Sequence, residues 1–172
     1  MSAILDIKRS STPLWWQRVW VVQEPVAFGL DPVPEVAMGS IRIPWDVFMG
    51  VVRSEDVPLW LELGTIFNIC SLDRPPSIIA VLVSLRKREC QDERDRVFSL
   101  LGMIDRRESR WLEPNYSPEY TTAMAFTDAT CAALNTGAVP FALNLVDPGR
   151  SRRLELPSFA VDFSNRYPGF VS

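Results

Sequence analysis

Residues 14–28 read LWWQRVWVVQEPVAF, and the fold of the chain turns on how that stretch is read. Three of the six tryptophans, Trp15, Trp16 and Trp20, lie close together, and a lone carboxylate, Glu24, ends the apolar run. As a helix, the stretch puts Gln17, Trp20, Val21, Glu24 and Phe28 on one face at spacings of three and four. As a strand, it rests on Val19, Trp20, Val21 and Val22, all good strand formers, and periodicity alone does not choose between the two. Pro25 removes a helical hydrogen bond to the Val21 carbonyl and pushes Glu24 away from helical geometry, so Glu24 is expected at a kink or at the end of the element. Apolar neighbours are expected to raise its pKa, as they do in tuned catalytic acids and in buried structural carboxylates alike.

Composition narrows the classes. With 172 residues, 47% hydrophobic and 23% charged, the chain can bury one core of ordinary size and is not of disordered composition. A net charge of −3 gives no electrostatic case for nucleic acid or an anionic membrane. No apolar run reaches the roughly 20 residues that a spanning helix needs. Residues 1–8 carry no signal-peptide pattern. Three widely spaced cysteines, Cys70, Cys90 and Cys131, suit a reducing, cytoplasmic setting and have no metal-ligand spacing. The chain contains no histidine, which removes Ser-His-Asp and Cys-His catalysis and His-ligated zinc together.

Downstream, EVAMGSIRI (35–43) reads as two short extended pieces around Gly39-Ser40, a candidate hairpin. Residues 44–53 give an amphipathic helix opened by Pro44, with Trp45, Phe48, Met49 and Val52 on one face. Residues 57–70 give another. A helix is expected over 77–89, its apolar half IIAVLVSL followed by a solvated RKRE end. The densest polar group is CQDERDR (90–96). Asp92 is placed to cap a helix, with Asp95 in capping-box position ahead of VFSLL. Arg94 and Arg96 fall where the helix dipole opposes cations, so they are expected to pair with carboxylates as a structural network. Gly102 with Asp105-Arg106-Arg107-Glu108 ends that helix, and a polar loop runs on to Asn115. Ser117-Pro118-Glu119 reads as a helix start, with Tyr120, Met124, Thr127, Cys131 and Leu134 on one face and Asn135-Thr136-Gly137 as the stop. Residues 139–146 are left as a helical turn or a strand.

Four segments carry a resemblance. WWQRVWVVQE is similar to the "RxWxxQE" segment of fungal heterokaryon-incompatibility (HET) domain proteins. RECQDERDRVFSLLGMI resembles their "C-x-DPRDRVFALLGL", with Glu93 where the family has Pro. NYSPEYTTAMAF resembles "DYSxxxxxVYxxF", and LPSFAVDFS resembles "LPSWxPDWS", with Phe159 in place of Trp. The family's preceding "SYxWG" and "LWIDxxCINQ" segments have no counterpart in the residues before the match.

The resemblance implies a mainly α fold with a short β element (α+β). Residues 1–43 would be the trailing edge of a HET domain, a remnant of a TIR-like α/β unit, and residues 44–172 a bundle-like helical region behind it. It implies a protein of allorecognition and programmed cell death, with a protein partner or self-association and no cofactor. Its motif residues map onto Arg18, Trp20, Gln23, Asp92, Arg94, Asp95, Arg96 and Tyr116. HET domains resemble TIR domains, several of which cleave NAD with a glutamate in a "WxxxE" pattern. Trp20 and Glu24 have that spacing, so the alternative is an NAD glycohydrolase in which Glu24 is catalytic when the whole domain is present.

Overall fold

The computed structural model describes residues 18–23, 35–38, 40–54, 75–137, 139–146 and 155–164. The architecture is mostly helical with one small two-stranded antiparallel sheet. The expected helix over 57–70, Cys70, and Trp15, Trp16, Gln17, Glu24 and Phe28 lie outside the described residues.

Of the 14–28 stretch, the described residues 18–23 form neither the α-helix nor the strand of the two readings. Arg18 forms an isolated parallel bridge with Glu89, and Val19–Val22 is a single 3-10 turn. With three residues per turn, Val19 and Val22 align. Both are buried, with Val21 between them, while Trp20 stays 36% exposed. The expected pairing of Trp20 with Val21 on one interior face is thus replaced by a valine interior, which packs more compactly than indole in a short turn.

The hairpin forms as expected, with β1 (Glu35–Met38) against β2 (Ile41–Pro44). Its register sets Val36 opposite Ile43 and Met38 opposite Ile41 across a two-residue connection. Val36 and Ile43 therefore share a face and pack against the core, while Glu35 and Arg42 form an exposed ion pair at 3.5 Å. Pro44 closes β2 rather than opening the helix, a position where its missing N–H costs the ladder nothing. Helix α1 (Trp45–Ser54) follows, anchoring Phe48 in the core with Trp45 tilted against it at 6.0 Å.

Helix α2 (Ile78–Leu85) is the centre of the core, with Ile78, Ile79, Val81, Leu82 and Leu85 all buried. Five such side chains at roughly 1.5–3 kcal/mol each make it a principal source of hydrophobic stabilisation. Ser77 caps it, its hydroxyl accepting from the Ala80 N–H. The helix stops at Leu85, short of the expected 89, and Arg86 to Glu89 turn away. Only part of the expected solvated cationic end is solvated: Lys87 is exposed, but Arg88 is 7% exposed.

Two short helices, α3 (Asp95–Phe98) and α4 (Arg106–Ser109), flank a run of turns. The second is a separate helix where the sequence reads as the end of the preceding one and the start of a polar loop. Its start is set by Asp105, whose carboxylate accepts the Arg107 N–H at 2.8 Å. Helix α5 (Thr122–Asn135) begins four residues later than Ser117-Pro118 suggests, because Thr121 takes the capping role. Residues 118–120 form a separate turn instead. Its buried face is Ala125, Phe126, Ala129, Thr130, Ala132 and Ala133, not the expected set, of which Met124 is 47% exposed. The alanines let α2, α4 and α6 (Val139–Asn144) approach closely while keeping high helix propensity. The expected stop holds: Thr136 is the C-cap, and Gly137 takes φ +95°, a conformation open to glycine without strain. The 139–146 run is helical in its first six residues.

The closing segment docks on α5. The Val161 N–H donates to the Thr130 hydroxyl at 3.2 Å, that hydroxyl donates to the Phe126 carbonyl at 2.8 Å, and Phe163 meets Phe126 edge-on at 5.4 Å. The core is continuous from Val21 and Val22 through α2 and α5 to Phe163.

Candidate functional site

The segment 90–96 shapes the densest polar site. Asp92 accepts the Arg94 N–H at 2.9 Å and, through both carboxylate oxygens, the Arg94 side chain at 2.8–3.2 Å. That Asx turn orients the guanidinium, so its remaining nitrogen donates to the Ser117 and Tyr120 carbonyls at 3.0 and 2.8 Å. The Tyr116 ring lies under the Arg94 guanidinium at 5.2 Å, and its hydroxyl donates to Asp95 at 2.7 Å. Phe98 fills the space below, edge-on to Tyr116 and stacked on Tyr120. The expected capping box is thus corrected: Asp92 caps the turn, but Asp95 reaches across to Tyr116, not back to Asp92. Turn bonds from the Asp95, Arg96 and Val97 N–H groups to the Asp92, Glu93 and Arg94 carbonyls lead into α3.

Arg96 faces the other way. It is 6% exposed and pairs with Glu93, while one terminal nitrogen donates to the carbonyls of Arg86 and Arg88 at 3.1 and 3.0 Å. This planar fork satisfies the two carbonyls where the chain leaves α2. Next to it, the Glu89 carbonyl accepts the Val19 N–H at 2.9 Å. Further along, Gly102 leaves room for the Gln23 amide, which would stand 3.3 Å from any added Cβ.

Electrostatics follow the geometry. The Arg94 hydrogen bond holds the Asp92 carboxyl below the usual range. Burial, and then its bond to Asp95, pushes the Tyr116 phenol up. Burial pushes the Cys90 thiol up to about 11 despite the Arg96 charge, which makes it a poor nucleophile at neutral pH.

The structure therefore gathers Asp92, Arg94, Asp95 and Tyr116 into one clasp, with Arg96 back to back with it, Trp20 on the adjoining 3-10 turn, and Arg18 and Gln23 at that turn's two ends. Glu24 lies outside the described residues. Sequence reasoning missed Glu93 as the partner of Arg96, and it missed Glu108. That carboxylate is 2% exposed; it accepts the Ile78 N–H at 2.6 Å and the Thr136 hydroxyl at 3.0 Å, tying α4 to the start of α2 and the end of α5. A signal existed, since Asp105 and Glu108 have capping-box spacing. The Asp105 N–H, however, is given to the Pro76 carbonyl, and Glu108 bridges to another helix.

Among the described residues no cluster of three or more Cys, Asp or Glu side chains is placed to hold a metal ion, and no helix is long and apolar enough to cross a membrane. Comparison with family models, with curated proteins and with solved structures returns no match.

Proposed function

We propose that this chain is part of a cytoplasmic HET-type protein of fungal allorecognition and cell death, acting as an interaction or regulatory region without catalysis of its own. One observation supports the reading above the others. The four segments that resemble the family are separate in sequence, and tertiary contacts link each of them to another, among the further ties that Glu108 and Asp105 make elsewhere. Val19 bonds Glu89, Arg94 bonds Ser117 and Tyr120, and Phe163 meets Phe126. Within that framework the arginine donors of the D-x-R-D-R run are committed to carboxylates and backbone carbonyls, the arrangement of a structural clasp rather than of a reacting centre.

The partly exposed Trp20 beside this framework is where contact with a partner or a second copy is expected. The purified chain should associate in sedimentation experiments, and Trp20→Ser should weaken that association. Neither protein should release nicotinamide from NAD. Nicotinamide release that Glu24→Gln abolishes, from this chain or a longer protein containing it, would replace this reading with the glycohydrolase one.

A further inference from the structure

An open polar depression of about 440 Å3 lies between the 110–115 segment that follows α4 and the side chains of Tyr120 and of Asp128 on α5. Its volume is in the range of small-molecule sites. Trp111 borders it and remains 55% exposed, unusual for so large an apolar ring, with the Arg110 guanidinium 5.2 Å from the indole centroid. The polar lining offers both hydrogen-bonding senses. Asn115 uses its carbonyl oxygen on the Ser117 N–H at 2.9 Å, leaving its amide NH2 to donate. Tyr120 donates to one Asp128 oxygen at 2.6 Å, leaving the other to accept. Glu113 adds acceptors and Arg110 adds donors.

The balance of charges selects the ligand. One guanidinium faces two carboxylates, so an anion such as a phosphate meets Glu113 and Asp128, and a cation meets Arg110. A neutral molecule rich in hydroxyl groups meets neither penalty, because each hydroxyl both donates and accepts. An indole ring left 55% exposed beside such a wall offers a face to a ring with an apolar C–H face and polar rim. We propose that this depression binds a neutral pyranose sugar stacked on Trp111, with Asn115 and Asp128 reading its hydroxyls.

The test titrates maltose, cellobiose and chitobiose, with glucosamine, glucuronate and adenosine as comparators, into isotopically labelled chain. The Trp111 indole N–H signal is followed by NMR. At least one neutral disaccharide should bind with a dissociation constant on the order of millimolar. Trp111→Ala should weaken that binding about tenfold or more, and Trp20→Ala should leave it unchanged. Because Trp111 is outside the core, the variant should keep its melting temperature, which separates lost binding from lost folding. Absence of binding by every neutral sugar, binding that survives Trp111→Ala, or tighter binding of a charged sugar or of adenosine would each overturn the proposal.

Discussion

Replacing Glu108 gives the sharpest test of how the helices are held together. Its two oxygens serve two helix ends, the Ile78 N–H opening α2 and the Thr136 hydroxyl closing α5. Glu108→Ala strands the buried Ile78 N–H, at about 1–3 kcal/mol. The void left by the lost atoms, on the order of 50 Å3, adds about 1 kcal/mol. Thr136 loses little, since its hydroxyl also lies within reach of the Ala132 and Ala133 carbonyls. The sum is about 2–4 kcal/mol, or roughly 5–15 °C in melting temperature for a chain of this size. Glu108→Gln should cost far less near pH 4. Its amide oxygen can accept from Ile78, and its NH2 can donate to Thr136 while that hydroxyl turns to Ala133.

The pH dependence carries an independent sign. Burial raises the Glu108 pKa above its ordinary 4.5 and outweighs the two hydrogen bonds that favour the carboxylate. A pKa raised on folding means that the native state binds the extra proton. The group's contribution is therefore complete below the unfolded pKa and is lost as pH rises through the folded one. Glutamine imitates the protonated acid at every pH. The difference in stability, Gln variant minus wild type, should then grow from pH 4 to pH 8 in denaturant titrations. A difference that stays flat or shrinks would refute the dominance of burial, and equal losses for Ala and Gln would refute the bridging role itself.

Two further substitutions probe the polar interior. Arg96→Lys should destabilise by about 2–3 kcal/mol in thermal melts, because a point-charge ammonium cannot serve Glu93 and both the Arg86 and Arg88 carbonyls as the planar fork does; an unchanged melting point would remove the structural role of that residue. Ser99 is fully buried, and its hydroxyl has no partner among the described residues, so Ser99→Ala should leave stability unchanged or raise it by up to about 1 kcal/mol. A loss above that would mean the hydroxyl is bonded.

Elements with strong local instructions were legible in the sequence. The hairpin followed from extended pieces around Gly39-Ser40, α2 from its apolar run, and the end of α5 from Gly137. Each depends on conformational preferences within a few residues. The Trp-rich turn, the late start of α5 and its alanine face were not legible, because tertiary partners decide them. The turn that buries Val19 and Val22 and leaves Trp20 partly exposed is tied down by the Val19 N–H bond to Glu89, a residue 70 positions away. Small alanines mark a buried face only when neighbouring helices come close, which the α5 sequence alone does not reveal.

The site shows the same division more clearly, through a pattern that occurs twice. Asp92-x-Arg94 and Asp105-x-Arg107 adopt the same local device, the aspartate accepting both the N–H and the guanidinium of the residue two positions on. That much is written in the D-x-R spacing, and in both places it starts a short helix. The surroundings then give the two arginines different work. Arg107 is 75% exposed at its side chain, and its guanidinium pairs with Asp105, its local neighbour. Arg94, at 17%, has Tyr116 beneath it and spends its remaining nitrogen on Ser117 and Tyr120. A local motif sets where the guanidinium points; only the packing of a distant segment against it turns that direction into a tie between elements. The clasp is therefore predictable as a turn from seven residues, and becomes recognisable as a joint only once Tyr116 through Tyr120 arrive opposite it.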